Sequence, residues 1–147
     1  MKVRVVIATL VLAFVLAGCG APAAAPAAPA ASAAAPAPAI DLASLPVDVD
    51  VNTTNQLRES PDVVILDVRE VSEWNEGHIA GATLIPMGEV PARISEIPTD
   101  KTVIVQCRSG NRSNQVTQYL RQQGMTNVHN MSGGILAWEA AGLPVER

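Results

Sequence analysis

Two runs of apolar residues, Val63-Val64-Ile65-Leu66 and Val103-Ile104-Val105, contain no polar alternation. Continuous β-branched runs of this length suit strands buried on both faces of a parallel sheet. Val47 to Val51 instead alternates apolar and acidic residues, which predicts a half-exposed edge strand. Thr83-Leu84-Ile85 and Asn127-Val128-His129 are shorter strand candidates. Helical spacing fills the intervals. Asn52 or Thr53 is placed to cap a short helix through Glu59, stopped by Ser60-Pro61. Met87 to Ile94 and Gly134 to Ala140 have helical patterns, the latter carrying Ile135, Leu136 and Trp138. Ser113 to Gln123 sets Val116, Tyr119 and Leu120 on one face and ends at Gly124. Strand alternating with helix over residues 41–147 predicts a small α/β domain, a parallel sheet with helices on both faces.

The amino-terminal pattern is different. Lys2 and Arg4 precede an apolar run from Val5 to Leu16, twelve residues long, which suits an export signal better than a membrane span. Leu16-Ala17-Gly18-Cys19 then resembles the bacterial lipoprotein processing signal. That resemblance implies cleavage before Cys19, lipid on its thiol, and a location outside the cytoplasm, anchored to a bacterial membrane. Residues 1–18 are read as the signal peptide and 19–40 as the lipidated Cys with its linker. Residues 21–39 hold thirteen Ala, five Pro and one Ser, so no packed element is expected there. Such a semi-stiff tether reaches at most about 60 Å at about 3.1 Å per residue.

Tether alanines inflate the 48% hydrophobic fraction of the 147 residues. From residue 41 onward, 14 acidic residues face 8 basic ones, a formal charge of −6. That balance argues against nucleic acid and against electrostatic adhesion to anionic lipid. Two Cys and two His are too few for a zinc site, and no Gly-x-Gly-x-x-Gly occurs, so no metal or nucleotide cofactor is expected. With Cys19 lipidated, Cys107 is the only thiol left and no intramolecular disulfide can form.

Cys107 begins the run Cys107-Arg108-Ser109-Gly110-Asn111-Arg112-Ser113, between a strand candidate and a helix candidate. A turn at that junction aims backbone N–H groups and the positive helix end at the sulfur. Helix N-termini lower a thiol from about 8.5 to roughly 3.5–7.5, so an anionic sulfur nucleophile is expected. The alternative is a buried, inert cysteine. Two Arg, two Ser and a Gly within the six following residues are poor core material and good anion-binding material. Gly110 accepts positive φ and Arg112 offers a guanidinium fork. The carboxyl end of a parallel strand is also where α/β sheets bind ligands.

Four stretches together resemble the single-domain rhodanese-like sulfurtransferases: Ile65 to Glu70, Glu73 to Ala82, Cys107 to Ser113, and Met131 to Trp138. The resemblance implies that Cys107 takes a sulfane sulfur from a donor such as thiosulfate, holds it as a persulfide, and yields it to cyanide or a thiol. It further implies that Arg108, Ser109, Gly110, Asn111 and Ser113 bind substrate, the amides of residues 108–113 stabilising the anionic sulfur. Arg108 is expected to point outward. Arg112, assigned with Cys107 to catalysis, is expected to brace the loop or bind an anionic donor.

Related phosphatases of this fold place five residues between Cys and Arg, and usually a His before the Cys. Here four intervene, Arg108 to Asn111, and Gln106 precedes Cys107. Asp67 is expected to cap backbone amides with Arg69 as ion-pair partner, His78 and His129 to be structural, and Trp74 and Trp138 to be core or rim aromatics. Ala80 and Met125 depart from the family's frequent Pro and aromatic, touching packing more than chemistry. Two other functions stay open: a non-catalytic rhodanese-like binding or sensing module, and a phosphatase or arsenate reductase of the same fold.

Overall fold

The computed structural model of the protein describes residues 40–147. The signal segment, Cys19 and the tether through residue 39 lie outside the described residues. Five strands form one sheet: β1 (Asp48–Val49), β2 (Val63–Asp67), β3 (Thr83–Leu84), β4 (Thr102–Gln106) and β5 (Val128–Met131). Their order is β1-β5-β4-β2-β3, and all four pairings are parallel. The two apolar runs are neighbours, β2 beside the central β4, in a register that sets Asp67 opposite Gln106. Both strands therefore end together, one residue before Cys107.

Alternate β4 residues feed separate cores. Val103, Val105 and Cys107 join Val116 and Leu120 of α3 (Asn111–Gln122) on one face. Ile104 joins Val51 and Leu57 of α1 (Val51–Leu57) and Ile135 and Trp138 of α4 (Gly134–Ala140) on the other. Helices thus cover both faces, as an all-parallel sheet requires. Each large aliphatic side chain buried this way contributes about 1.5–3 kcal/mol, which outweighs the weak helical propensity of these short elements.

Several boundaries differ from expectation for identifiable reasons. The cap of α1 is Asp50, not Asn52 or Thr53, because its carboxylate accepts from both their amides at 2.9 and 3.0 Å. The segment Met87 to Ile94 is not one helix but two 3-10 turns, Met87–Glu89 and Ile94–Glu96, with Pro91, which lacks an N–H, between them. Helix α3 begins at Asn111 rather than Ser113, so Asn111, Arg112 and Ser113 sit on its first turn. An unexpected helix, α2 (Val71–Glu76), buries none of its residues and so had no apolar period to reveal it. Strand β5 runs on to Met131.

His129 and Trp138 are structural, their ring nitrogens lying 2.7 and 2.9 Å from the carbonyls of Pro46 and Pro144. His78 stacks on Trp74 with ring centroids 3.8 Å apart. Among the described residues no helix is long and apolar enough to cross a membrane.

Candidate active site

Cys107 follows β4 directly and is only 1% exposed. Burial pushes its thiol up, but the Ser113 hydroxyl and the amides of Ser113, Ser109 and Gly110 outweigh that and leave it below an ordinary cysteine. The Gly110 amide lies 3.2 Å from Sγ and the Ser113 hydroxyl 3.4 Å. Gly110 caps α3 at φ 94°, and a Cβ there would meet the Gly133 nitrogen at 3.0 Å. Glycine is therefore the residue that lets this loop curl its amides onto the sulfur.

The loop is clamped from the other side by α4. The amides of Ile135 and Leu136 donate to the carbonyls of Cys107 and Arg108 at 2.8 and 3.1 Å. Gly134 passes so near that a Cβ would fall 2.4 Å from the Cys107 carbonyl oxygen. The Met131 to Trp138 stretch thus holds the carbonyl of Cys107 itself.

Asp67 and Arg69 stand beside the site as a buried pair. Arg69 grips the Asp67 carboxylate through Nε and Nη2 at 2.9 and 2.7 Å, and its backbone amide donates to Oδ1 at 2.9 Å. The same guanidinium reaches the carbonyls of Glu73 and Gly77. Asp67 therefore caps and pairs as expected. The pair ties the end of β2 to α2.

Arg112, expected to brace the loop or to bind a donor, pairs with Glu73. Its two Nη atoms each lie 2.7 Å from a Glu73 carboxylate oxygen, a bidentate fork from α3 to α2. Arg112 lowers the Glu73 carboxyl to about 2, against the upward push of burial. Glu73 had no assigned role in the sequence; a single acid thirty-nine positions away carries no local signal. Asn130 and Asp48 were likewise silent. The Asn130 amide sits 2.6 Å from the Ser113 hydroxyl and donates to Asp48 at 2.7 Å.

Of the expected site residues, Cys107, Gly110 and Ser113 are buried together, while Arg108, Ser109 and Asn111 are exposed on the rim. Arg108 makes no side-chain hydrogen bond among the described residues. A hollow of about 470 Å³ adjoins the loop, lined by Arg69, Glu73, Glu76, Arg108, Leu136 and Glu139 among others. Cys107 itself does not line it. The assembly offers a sulfur whose neighbouring donors favour its anion and one outward cation, and among the described residues no carboxylate or imidazole hydrogen-bonds the sulfur.

The rhodanese-like domain family matches residues 50–141, and the chain belongs to that family. A sulfurtransferase of Allochromatium vinosum is 43% identical over 99 residues, covering 67% of this chain and 92% of that protein. The thiosulfate sulfurtransferase GlpE of Pseudoalteromonas translucida is 33% identical over 93 residues, covering 63% of this chain and 89% of its own. The crystal structure of a rhodanese-related protein from Thermoplasma volcanium superposes with a TM-score of 0.63 at 31% identity, covering 67% of this chain and 96% of that one.

Proposed function

We propose that the protein is a sulfurtransferase that carries sulfane sulfur as a persulfide on Cys107. The observation that carries this reading is a sulfur 1% exposed that takes the Gly110 amide at 3.2 Å and the Ser113 hydroxyl at 3.4 Å, contacts that hold its thiol below an ordinary cysteine. A thiolate so prepared attacks the outer sulfur of a donor such as thiosulfate. The Sγ–S bond forms as the donor S–S bond breaks, and sulfite leaves with the bonding pair. Cyanide or a thiolate then attacks the outer sulfur and the Cys107 thiolate is restored. The loop amides meet the charge in both anionic states, so no proton need move on the cysteine.

A phosphatase or arsenate reductase is disfavoured by the four residues between Cys107 and Arg112 and by the engagement of that arginine with Glu73. The Leu-Ala-Gly-Cys signal supports a second part of the proposal, that the domain works outside the cytoplasm on a lipid held by Cys19. The test of the chemistry is mass spectrometry of the purified full chain after donor treatment. Gain of one sulfur on Cys107, thiocyanate release with cyanide, and loss of both in Cys107→Ser are expected; absence of the adduct with every sulfane donor overturns the reading.

A further inference from the structure

The carboxylate of Asp48, on the edge strand, is joined to the sulfur of Cys107 by a chain of side chains. Strand β1 pairs with β5 in a register that sets Asp48 opposite Asn130, and the Asn130 backbone amide donates to the Val47 carbonyl at 2.7 Å. Asn130 Nδ2 donates to Asp48 Oδ1 at 2.7 Å, and the Ser113 hydroxyl lies 2.6 Å from Asn130 Oδ1. The same hydroxyl lies 3.4 Å from Cys107 Sγ. Asn130 and Ser113 are 4% and 0% exposed, so their partners come from within the fold. Asp48 is exposed.

An ionised carboxylate only accepts hydrogen bonds, so it takes the nitrogen of the Asn130 carboxamide and leaves the oxygen for Ser113. Without Asp48, half a turn of the carboxamide gives Ser113 a donor in place of an acceptor. The Ser113 proton, no longer claimed at 2.6 Å, is then free for the sulfur, with the Gly110 carbonyl at 3.0 Å as the remaining competitor. Sulfur transfer changes the charge on that sulfur twice. Charge leaves Sγ as it becomes the inner atom of a persulfide and returns when the outer sulfur is handed on. A hydroxyl given wholly to Sγ therefore slows loading and speeds discharge, as a lower thiol pKa does for attacking and leaving thiolates.

We propose that Asp48 is a positioning residue: by orienting the Asn130 carboxamide it keeps the Ser113 proton from passing wholly to Cys107, which favours the loaded, persulfide form. The inference rests on the Cys107 persulfide reading above. In loading, the Sγ–S bond forms as the donor S–S bond breaks, and sulfite leaves with the bonding pair. In discharge, cyanide takes the outer sulfur as thiocyanate and the bonding pair returns to Sγ. Asp48 enters both steps only through Asn130 and Ser113.

Two variants separate orientation from charge. Asp48→Val removes the acceptor and keeps a strand-forming residue in β1, whereas Asp48→Asn keeps an acceptor for Asn130 Nδ2 and drops the charge. Alkylation of Cys107 by iodoacetamide, read by mass spectrometry of the full chain against pH, follows the thiolate. In Asp48→Val the titration is expected about half to one pH unit lower, the worth of one hydrogen bond, and in Asp48→Asn it is expected unmoved. At pH above the titration, single-turnover loading by thiosulfate should slow about two- to threefold in Asp48→Val and discharge to cyanide should quicken by a similar factor. Asp48→Asn should keep wild-type rates. A residue that only supports the strand moves neither the titration nor the two steps in opposite directions.

An unchanged titration in Asp48→Val, an equal shift in Asp48→Asn, or loading and discharge that move together overturns the assignment. The wild type decides it even where a variant fails to fold: nuclear Overhauser contacts from the Asn130 side-chain amide protons should reach Asp48 and not the β-protons of Ser113, and the reverse overturns it. Alkylation needs no sulfur donor, so the two levels part. Wild-type Cys107 that gains no sulfur while the titrations shift as expected sinks the persulfide reading and leaves the positioning of Ser113 standing.

Discussion

The hydroxyl of Ser113 lies 2.6 Å from Asn130 Oδ1 and 3.4 Å from the sulfur of Cys107. It also lies 3.0 Å from the Gly110 carbonyl, so one proton faces three acceptors. Asn130 is turned with its oxygen toward Ser113 because its Nδ2 donates to Asp48 at 2.7 Å. While the sulfur is neutral, the amide oxygen is the shorter and better acceptor. Once the sulfur is charged, it competes for the proton, since bonds to an ionised acceptor are about twice as strong. Edge strand β1 is in this way linked to the Cys107 sulfur through Asn130 and Ser113.

Ser113→Ala removes the donor, so the Cys107 thiol should titrate at higher pH than in the wild type. The sign follows from its direction: the folded-state pKa is lowered, so the thiolate's contribution to stability is present above about pH 8.5 and is lost as pH falls through the folded value. The variant also leaves Asn130 Oδ1 buried and unpaired, costing about 1–3 kcal/mol. Asn130→Ala removes the competing acceptor instead and should move the titration the other way. Thiolate ultraviolet absorbance against pH reads both, and a common direction for the two variants contradicts the shared-proton account.

Gly134→Ala should be among the most damaging single-methyl changes in the domain. The position has φ +58°, and the added carbon would lie 2.4 Å from the Cys107 oxygen and 2.6 Å from the Arg108 carbonyl carbon, neither of which is a flexible side-chain end. Strain and displaced backbone together predict a loss of about 2–4 kcal/mol in denaturant unfolding. Gly88→Ala, with open space around it, is the control and should stay within about 0.5 kcal/mol. A Gly134→Ala that unfolds with the control shows that α4 does not clamp the loop.

What was legible in the sequence was whatever a run or a short motif can carry. The β-branched runs located β2 and β4, and the second of them placed Cys107 at a strand end. Elements whose role is decided across the fold were not legible. Helix α2 has no buried stripe because its purpose is to present Glu73 and the carbonyls that Arg69 grips. Asn130 lies one residue past the expected strand Asn127 to His129 and carries no signal until the β4–β5 register brings it beside Ser113. The segment around Pro91 misled for a local reason, helical spacing without the N–H needed to sustain it.

The buried Asp67–Arg69 pair stands at the end of β2, where Asp67 pairs with Gln106 just before Cys107, yet it should govern stability rather than chemistry. Arg69→Leu strands the Asp67 carboxylate, 0% exposed, and frees the Gly77 carbonyl. Removing one member of a buried pair costs about 3–5 kcal/mol. Asp67→Leu/Arg69→Leu should recover part of that loss, because no charge is left uncompensated. Urea unfolding of the wild type, Asp67→Leu, Arg69→Leu and the double variant gives the cycle. Sulfur loading of the folded fraction is expected to persist in the double variant, and its abolition there assigns the pair a part in the reaction.

The Glu73–Arg112 fork should show as a pH-dependent term in stability at acid pH alone. Glu73 is lowered from 4.5 to about 2, chiefly by the Arg112 hydrogen bonds. A depressed carboxyl contributes fully above its unfolded value and loses that contribution as pH falls through the folded one. The stability difference between wild type and Glu73→Gln should therefore be constant from pH 7 to about pH 5, shrink between about pH 4.5 and pH 2, and vanish below. With a quarter of the Glu73 side chain exposed, solvent screening brings the plateau to about 1–2 kcal/mol rather than the full value of the shift. High salt should trim the plateau without moving the window, since screening weakens the attraction while the hydrogen bonds keep their geometry. Paired urea titrations across that range measure the difference directly, and a difference that persists unchanged at pH 2 shows that Glu73 acts through packing rather than through its charge.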